Sequence, residues 1–245
     1  MDKKRNSVEF KITGRYALFA DPITRVGGEK FSYQIPTYQA IKGILESVYW
    51  KPTFVWYIDA VRVMKKIQTE SKGIKPIKMS GGNDLSFYTY LRDVEYQVLA
   101  HFEWNEHRKD LTDDRNENKH HNIAKRCIEK GGRRDVFLGT RECQGYVESC
   151  VFAEDESFYD HYGELDFGVQ FHGYDYPDET GKNELAVRLW RARMKDGLIE
   201  FPMPKDCDPS MRRFIRGMTA KEFETNRNFS SIDNDFTVAN LVKEE

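Results

Sequence analysis

Between Val94 and Trp104 the side chains alternate without a break. Val94, Tyr96, Val98, Ala100, Phe102 and Trp104 fall on one side, and Glu95, Gln97, Leu99, His101 and Glu103 on the other. A period of two belongs to a strand and not to a helix. The fold must therefore contain a sheet, with this segment packing one face on a core and turning a mostly polar face outward.

Other segments supply its neighbours. Val8 to Gly14 alternates and reads as a strand, which Tyr16 to Phe19 can extend. Asp21-Pro22 and Gly27-Gly28 mark a loop. Ile41, Ile44, Leu45, Val48 and Tyr49 line one face of a helix, with Thr37 as a cap and Pro52 as a stop. Thr53 to Val63 is rich in β-branched and aromatic residues and reads as a strand. Residues 64–90 contain Gly73, Pro76 and Gly81-Gly82 and read as a basic hairpin insertion. Asn118 to Lys130 reads as a helix ended by Gly131-Gly132. Strand-like pieces follow from Val136 to Phe152.

This order is β-α-β-β-α-β, so the fold class is α+β with a ferredoxin-like (RRM-like) unit over residues 1–150. Residues 151–245 offer short strands at His161 to Tyr176, Glu184 to Trp190 and Gly197 to Phe201. They read as a small antiparallel β domain with a helical or irregular tail.

Charge divides along the same line. The whole chain of 245 residues carries a net of −2. Residues 1–147 carry a net of +7 and residues 148–245 a net of −9. Arg62 to Lys78 holds six basic residues against Glu70 alone, and Arg115 to Arg141 holds eight against three acids. Such asymmetry suggests a polyanion partner for the basic half. Solvated faces of unlike sign explain the charges equally well. No apolar stretch is long enough to span a membrane, and no apolar signal core follows Met1 to Asn6, so a cytoplasmic protein is expected. Cys127, Cys143, Cys150 and Cys207 show no zinc spacing and read as free thiols.

The most chemical-looking segment is Asn116 to His121. Asn118 or Asn116 can cap the second helix, which puts Lys119 and His120 at its start. Unpaired N–H groups and the positive dipole end suit a phosphate there. Lysine adds a point charge, and histidine moves protons near neutral pH. In a ferredoxin-like unit the two helices lie antiparallel on one face, so Tyr49 at the end of the first can share a site with Lys119 and His120. By apolar pattern alone Tyr49 is a core residue. Gly131 to Asp135 and Gly139 to Arg141 are rich in glycine and arginine and could cradle a nucleic-acid backbone. Asp110, Asp113 and Asp114 could suggest magnesium, but before a helix they are better read as capping carboxylates, so no metal site is assigned.

At these residues the sequence resembles a known family. It is similar to CRISPR-associated endoribonucleases of the RAMP superfamily, in the subtype I-C (Dvulg) branch of the fifth Cas family. The similarity is carried by Tyr16 to Lys30, Pro36 to Pro52, Asp114 to His120, Gly131 to Asp135, Gly139 to Tyr146 and Tyr176 to Gly181.

The resemblance implies the crRNA-maturation subunit of the type I-C Cascade. Such a subunit binds the CRISPR repeat stem-loop in precursor RNA and cuts at the 3′ base of the stem. It then keeps the 5′ handle beside the other Cascade subunits. The implied chemistry needs no metal or cofactor: the 2′-OH attacks the adjacent phosphate, leaving a 2′,3′-cyclic phosphate and a 5′-OH. The family's catalytic tyrosine, lysine and histidine fall on Tyr49, Lys119 and His120. His120 is expected as general base, Lys119 as the charge stabiliser, and Tyr49 as the group that orients the 2′-OH or protonates the leaving oxygen. Base and acid could be exchanged between Tyr49 and His120. His121 replaces an aromatic residue expected there, which leaves open which imidazole moves the proton. Stem binding is expected from Lys65, Lys66 and Lys72 of the hairpin and from Arg133, Arg134 and Arg141. The alternative is a scaffold subunit that holds the handle without cutting.

Overall fold

A computed structural model describes residues 4–22, 24 and 28–221. The expected tail beyond residue 221 and Arg25-Val26-Gly27 of the first loop lie outside the described residues. Eleven strands are described: β1 Val8–Ala17, β2 Lys30–Phe31, β3 Phe54–Val63, β4 Thr69–Ile74, β5 Ser86–Trp104, β6 Val136–Phe137, β7 Gln144–Ser149, β8 Glu164–Asp175, β9 Glu184–Lys195, β10 Leu198–Glu200 and β11 Arg212–Gly217. The α-helices are α1 Tyr38–Val48, α2 Glu117–Glu129 and the single turn α3 Pro177–Thr180. The molecule is α+β, dominated by antiparallel sheet.

β5 is the spine. It pairs antiparallel with β1 from Val8↔Ala100 to Ala17↔Leu91 and with β3 from Phe54↔Trp104 to Val63↔Tyr96. β7 adds to β1 on the far side, giving the central order β3-β5-β1-β7. β4 pairs with Ser86 to Leu91, so the hairpin's second strand is the first part of the spine itself.

The alternation of β5 predicts one solvated face, and the structure corrects this. Gln97 and His101 are fully buried and Leu99 nearly so. Their face is covered by the segment after β7 and by the N-terminal residues. Gln97 donates to Asp155 (2.8 Å) and accepts from the Ala153 N–H (2.8 Å). His101 lies between Asp59 (2.8 Å) and Lys4 (2.6 Å). Buried polar groups persist when they are hydrogen-bonded, so a polar strand face marked an internal interface here and not a wet surface.

The sheet does not break at residue 150. Leu198–Glu200 of β10 pairs with Arg62–Ala60 of β3, and β9 carries β8 on one edge and β11 on the other. The two parts of the chain thus share one sheet.

The helices cover the opposite face. α1 buries Tyr38, Ile41, Ile44, Leu45 and Val48, the stripe its spacing demands. Thr37 caps it by accepting from the Ala40 N–H (3.2 Å). The helix stops at Val48, and Tyr49 is already extended (φ −157°, ψ 124°). α2 buries His120, Ala124 and Ile128, which lie four residues apart on one line.

Candidate active site

Chain ends of two helices build the site. Tyr49 leaves the α1 axis at the C-cap while its N–H still reaches the Leu45 carbonyl (2.9 Å). Trp56 Nε1 of β3 donates to its carbonyl (2.8 Å), which fixes the turn from outside. α2 begins at Asn116, whose side chain accepts from the Lys119 N–H (3.0 Å). Of the two asparagines the sequence offered as caps, Asn116 is the one used. A 3₁₀ stretch, Lys109–Asp114, delivers the chain to that cap.

These constraints bring Tyr49 and His120 together. Tyr49 Oη lies 2.7 Å from His120 Nδ1, and both residues are buried. His120 Nε2 lies 2.8 Å from the Asp114 carbonyl oxygen. A carbonyl only accepts, so Nε2 carries a proton, and in the neutral ring Nδ1 is then the acceptor. The Tyr49 hydroxyl therefore donates to His120. Phe54, Phe102 and Trp104 box the imidazole, with centroids 5.3, 6.4 and 5.9 Å away.

Asp114 ties the constellation together. Its carboxylate accepts from Lys119 Nζ (2.5 Å) and from the Thr53 hydroxyl (2.7 Å), and lies 3.4 Å from His120 Nε2. The bonds to Lys119 and Thr53 hold its carboxyl below the ordinary carboxylate range. Burial, with help from the nearby Asp114 charge, pushes the Tyr49 phenol up to about 12. Tyr49 is thus firmly protonated at neutral pH and needs a partner to give up its proton. His120 is that partner. In the sequence Asp114 reads as a helix-start carboxylate; nothing in a linear pattern shows that a loop side chain turns back on a lysine five residues later.

His121 goes elsewhere. Its Nε2 donates to the Ser7 carbonyl oxygen (2.9 Å), beside β1. Between adjacent imidazoles, the structure brings only His120 to Tyr49. Asp110 is occupied by Arg108 (2.7 Å). Among the described residues no group of three or more His, Cys, Asp or Glu is arranged to hold a metal ion.

Tyr49 opens onto a cleft of about 550 Å³ lined also by Gly43, Trp50, Lys51, Arg133 and Arg134. Glycines place the arginines. Gly132 (φ 104°) closes α2 with an N–H to the Cys127 carbonyl (2.8 Å). A Cβ there would make only ordinary contact with Val48 Cγ2 (3.5 Å), so the positive φ is what calls for glycine beside the end of α1. Arg133 and Arg134 follow directly into the cleft. Gly139 serves packing, since a Cβ on it would meet the Leu18 carbonyl oxygen at 2.0 Å.

The remaining basic residues are spread. Lys72 Nζ sits over the Tyr16 ring at 3.5 Å, and Arg141 over Phe137 at 6.0 Å. Lys65 pairs with Glu95 (3.0 Å), and Lys66 lies over Phe158 at 5.8 Å. None of these four lines the Tyr49 cleft.

Comparison with known proteins gives a consistent result. The family model Cas_Cas5d, described as CRISPR-associated protein (Cas_Cas5), matches residues 7–202. A CRISPR pre-crRNA endoribonuclease Cas5d from Thermus thermophilus is 26% identical over 222 residues, covering 81% of this chain and 92% of that protein. One of the same name from Mannheimia succiniciproducens is 28% identical over 225 residues, covering 80% and 95%. A crystal structure of a CRISPR-associated protein superposes with a TM-score of 0.71 at 38% identity, covering 82% of this chain and 94% of that one. A functionally uncharacterized protein from Streptococcus mutans gives 0.70 at 39%, covering 82% and 95%.

Proposed function

Because this chain belongs to the Cas5d family of CRISPR-associated proteins, we propose that it is a metal-independent endoribonuclease acting on the repeat stem-loop of precursor crRNA. The observation that carries the reading is the Tyr49–His120 hydrogen bond, with Tyr49 itself lining an arginine-bearing cleft and Lys119 on the aspartate that faces His120.

The chemistry follows from the tautomer. We place the ribose 2′-OH on the Tyr49 side of the pair, because Tyr49 and not His120 lines the cleft. As Tyr49 takes the 2′-OH proton, its own proton passes to His120 Nδ1. His120 is thus the base and acts through Tyr49, and the Asp114 carboxylate 3.4 Å away steadies the resulting imidazolium. The 2′-oxygen attacks phosphorus, the bond to the 5′-oxygen breaks, and that oxygen takes a proton from solvent and leaves as a 5′-OH, after which the imidazolium returns its proton through Tyr49 to solvent. Lys119, half exposed, exchanges Asp114 for the phosphate and stabilises its charge in the transition state. Arg133 and Arg134 hold the backbone at the cut. Lys65, Lys66, Lys72 and Arg141 meet the stem farther out. Cleavage at the 3′ base of the stem, retention of the 5′ handle and association with other type I-C Cascade subunits belong to the same reading.

The ferredoxin-like reading of residues 1–150 is supported by the order β3-β5-β1-β7 with both longer helices on one face. We read residues 151–221 as an appended β unit built onto the β3 edge.

The test is a single-turnover assay with a repeat hairpin in EDTA. Wild type cuts; His120→Ala and Tyr49→Phe each lose ~10²–10⁴ in rate and bind the hairpin nearly as wild type does. A 2′-deoxy nucleotide at the scissile position blocks cutting. Persistent cutting of that substrate sinks the mechanism, and tight binding without any cutting by wild type makes the chain a scaffold.

A further inference from the structure

A second cleft adjoins the Tyr49 cleft, and Trp50 stands between them. Glu46, Trp50 and Pro52 line both cavities, and Glu46 faces Lys42 (3.8 Å). The second cavity, about 440 Å³, has Phe54, Val55 and Tyr176 on its walls. Trp50 is 46% exposed, although the apolar side chains of the preceding helix are buried. A large indole is thus held at the surface, between a cationic cleft and an aromatic one.

The polar groups of the second cleft are largely occupied. Asn105 Nδ2 donates to the Asp178 carbonyl (2.8 Å), and Asn105 Oδ1 accepts from the His107 N–H (3.0 Å). Glu179 accepts from Lys42 (2.5 Å). The second cleft therefore offers flat apolar surface more than hydrogen-bond readout. Lys51, Arg133 and Arg134 of the first offer charge for an anion. A ligand that matches both is a planar ring system joined to a phosphate through a short linker, which describes a nucleotide.

We propose that Trp50 is the stacking platform of a nucleobase subsite. It holds the unpaired base next to the scissile phosphate in the second cleft while the backbone runs past Tyr49. The subsite rests on the RNA-cutting reading above and adds a specificity element to it. Stacking tolerates any base, because every base has a π-face. The subsite thus distinguishes base from no base more strongly than one base from another, and it favours an unstacked flank over a continued duplex.

The experiment uses the full chain and repeat hairpins with unpaired nucleotides flanking the cut. One hairpin is intact, a second carries an abasic residue on one side of the scissile phosphate, and a third carries it on the other. Trp50→Ala weakens binding of the intact hairpin roughly tenfold to a hundredfold, and Trp50→Phe restores most of it. In wild type one abasic position gives a loss of the same size, and that loss vanishes in Trp50→Ala. Exchanging the base at that position costs much less than removing it. Equal binding of intact and abasic hairpins by wild type overturns the subsite while leaving RNA cutting intact. So does a Trp50→Ala protein that binds RNA normally but fails to associate with protein partners. Failure of wild type to bind any repeat hairpin removes the RNA reading and the subsite with it.

Discussion

Asp114 shows how much of the site one side chain carries. It fixes Lys119, accepts from Thr53 and, through its backbone carbonyl, sets the His120 tautomer. Asp114→Asn keeps the carbonyl and removes the charge. It is expected to cut more slowly while binding the hairpin normally, because Lys119 loses the partner that holds it in place. Stability gives a second readout with a definite sign. A carboxyl held below its ordinary range binds its proton less tightly folded than unfolded. Its contribution is therefore present above the carboxylate range and lost as pH falls through the depressed value. Thermal melts should show Asp114→Asn below wild type at neutral pH, with the gap closing as pH is lowered past ~4. A gap independent of pH would mean the carboxylate charge contributes nothing. Tyr49, Lys119 and His120 were legible from helix ends and family resemblance together. Asp114 was not, because its role depends on the 3₁₀ turn that aims it back at Lys119.

The helix ends are the elements that bring the candidate site together. The Asn116 cap fixes where α2 starts, and so the direction in which Lys119 and His120 leave it. Asn116→Ala removes the acceptor for the Lys119 N–H and is expected to cost about 1 kcal/mol. That is a fall of roughly 2–4 °C in Tm for a chain of this size. Asn116→Asp keeps the acceptor and should melt within a degree or so of wild type. If both variants melt alike, the cap is not what holds the helix start. Both longer helices were readable from their stripes and stop signals, since Thr37, Pro52 and Gly131-Gly132 act locally. The spine strand was readable as a strand but its exposure was not. Burial of Gln97 and His101 depends on Asp155 and Lys4, which no local pattern connects to it. The glycine-arginine segment needed the fold as well. Gly131 and Gly132 close α2 at positive φ, Gly139 serves packing, and of the arginines only Arg133 and Arg134 reach the cleft.

At the scale of the whole molecule the near-zero net charge of −2 conceals a basic half and an acidic half. The shared sheet keeps them joined while the cationic cleft stays at the ends of α1 and α2. Phosphate contacts release counterions, so hairpin affinity should fall linearly with salt on a double-logarithmic plot. The slope sorts the basic residues by position. Arg133→Ala and Arg134→Ala should each reduce its magnitude by about one and also slow cutting, because they line the cleft that holds Tyr49. Lys72→Ala and Arg141→Ala should reduce the slope without slowing cutting of saturated RNA, because they lie outside that cleft. Lys65→Ala should change the slope less than Arg133→Ala, because its ammonium already pairs with Glu95 at 3.0 Å. A slope that ignores all five substitutions would place the RNA on another surface. A slope moved by Lys65 as strongly as by Arg133 would place the stem across the face where residues 151–160 cover the sheet.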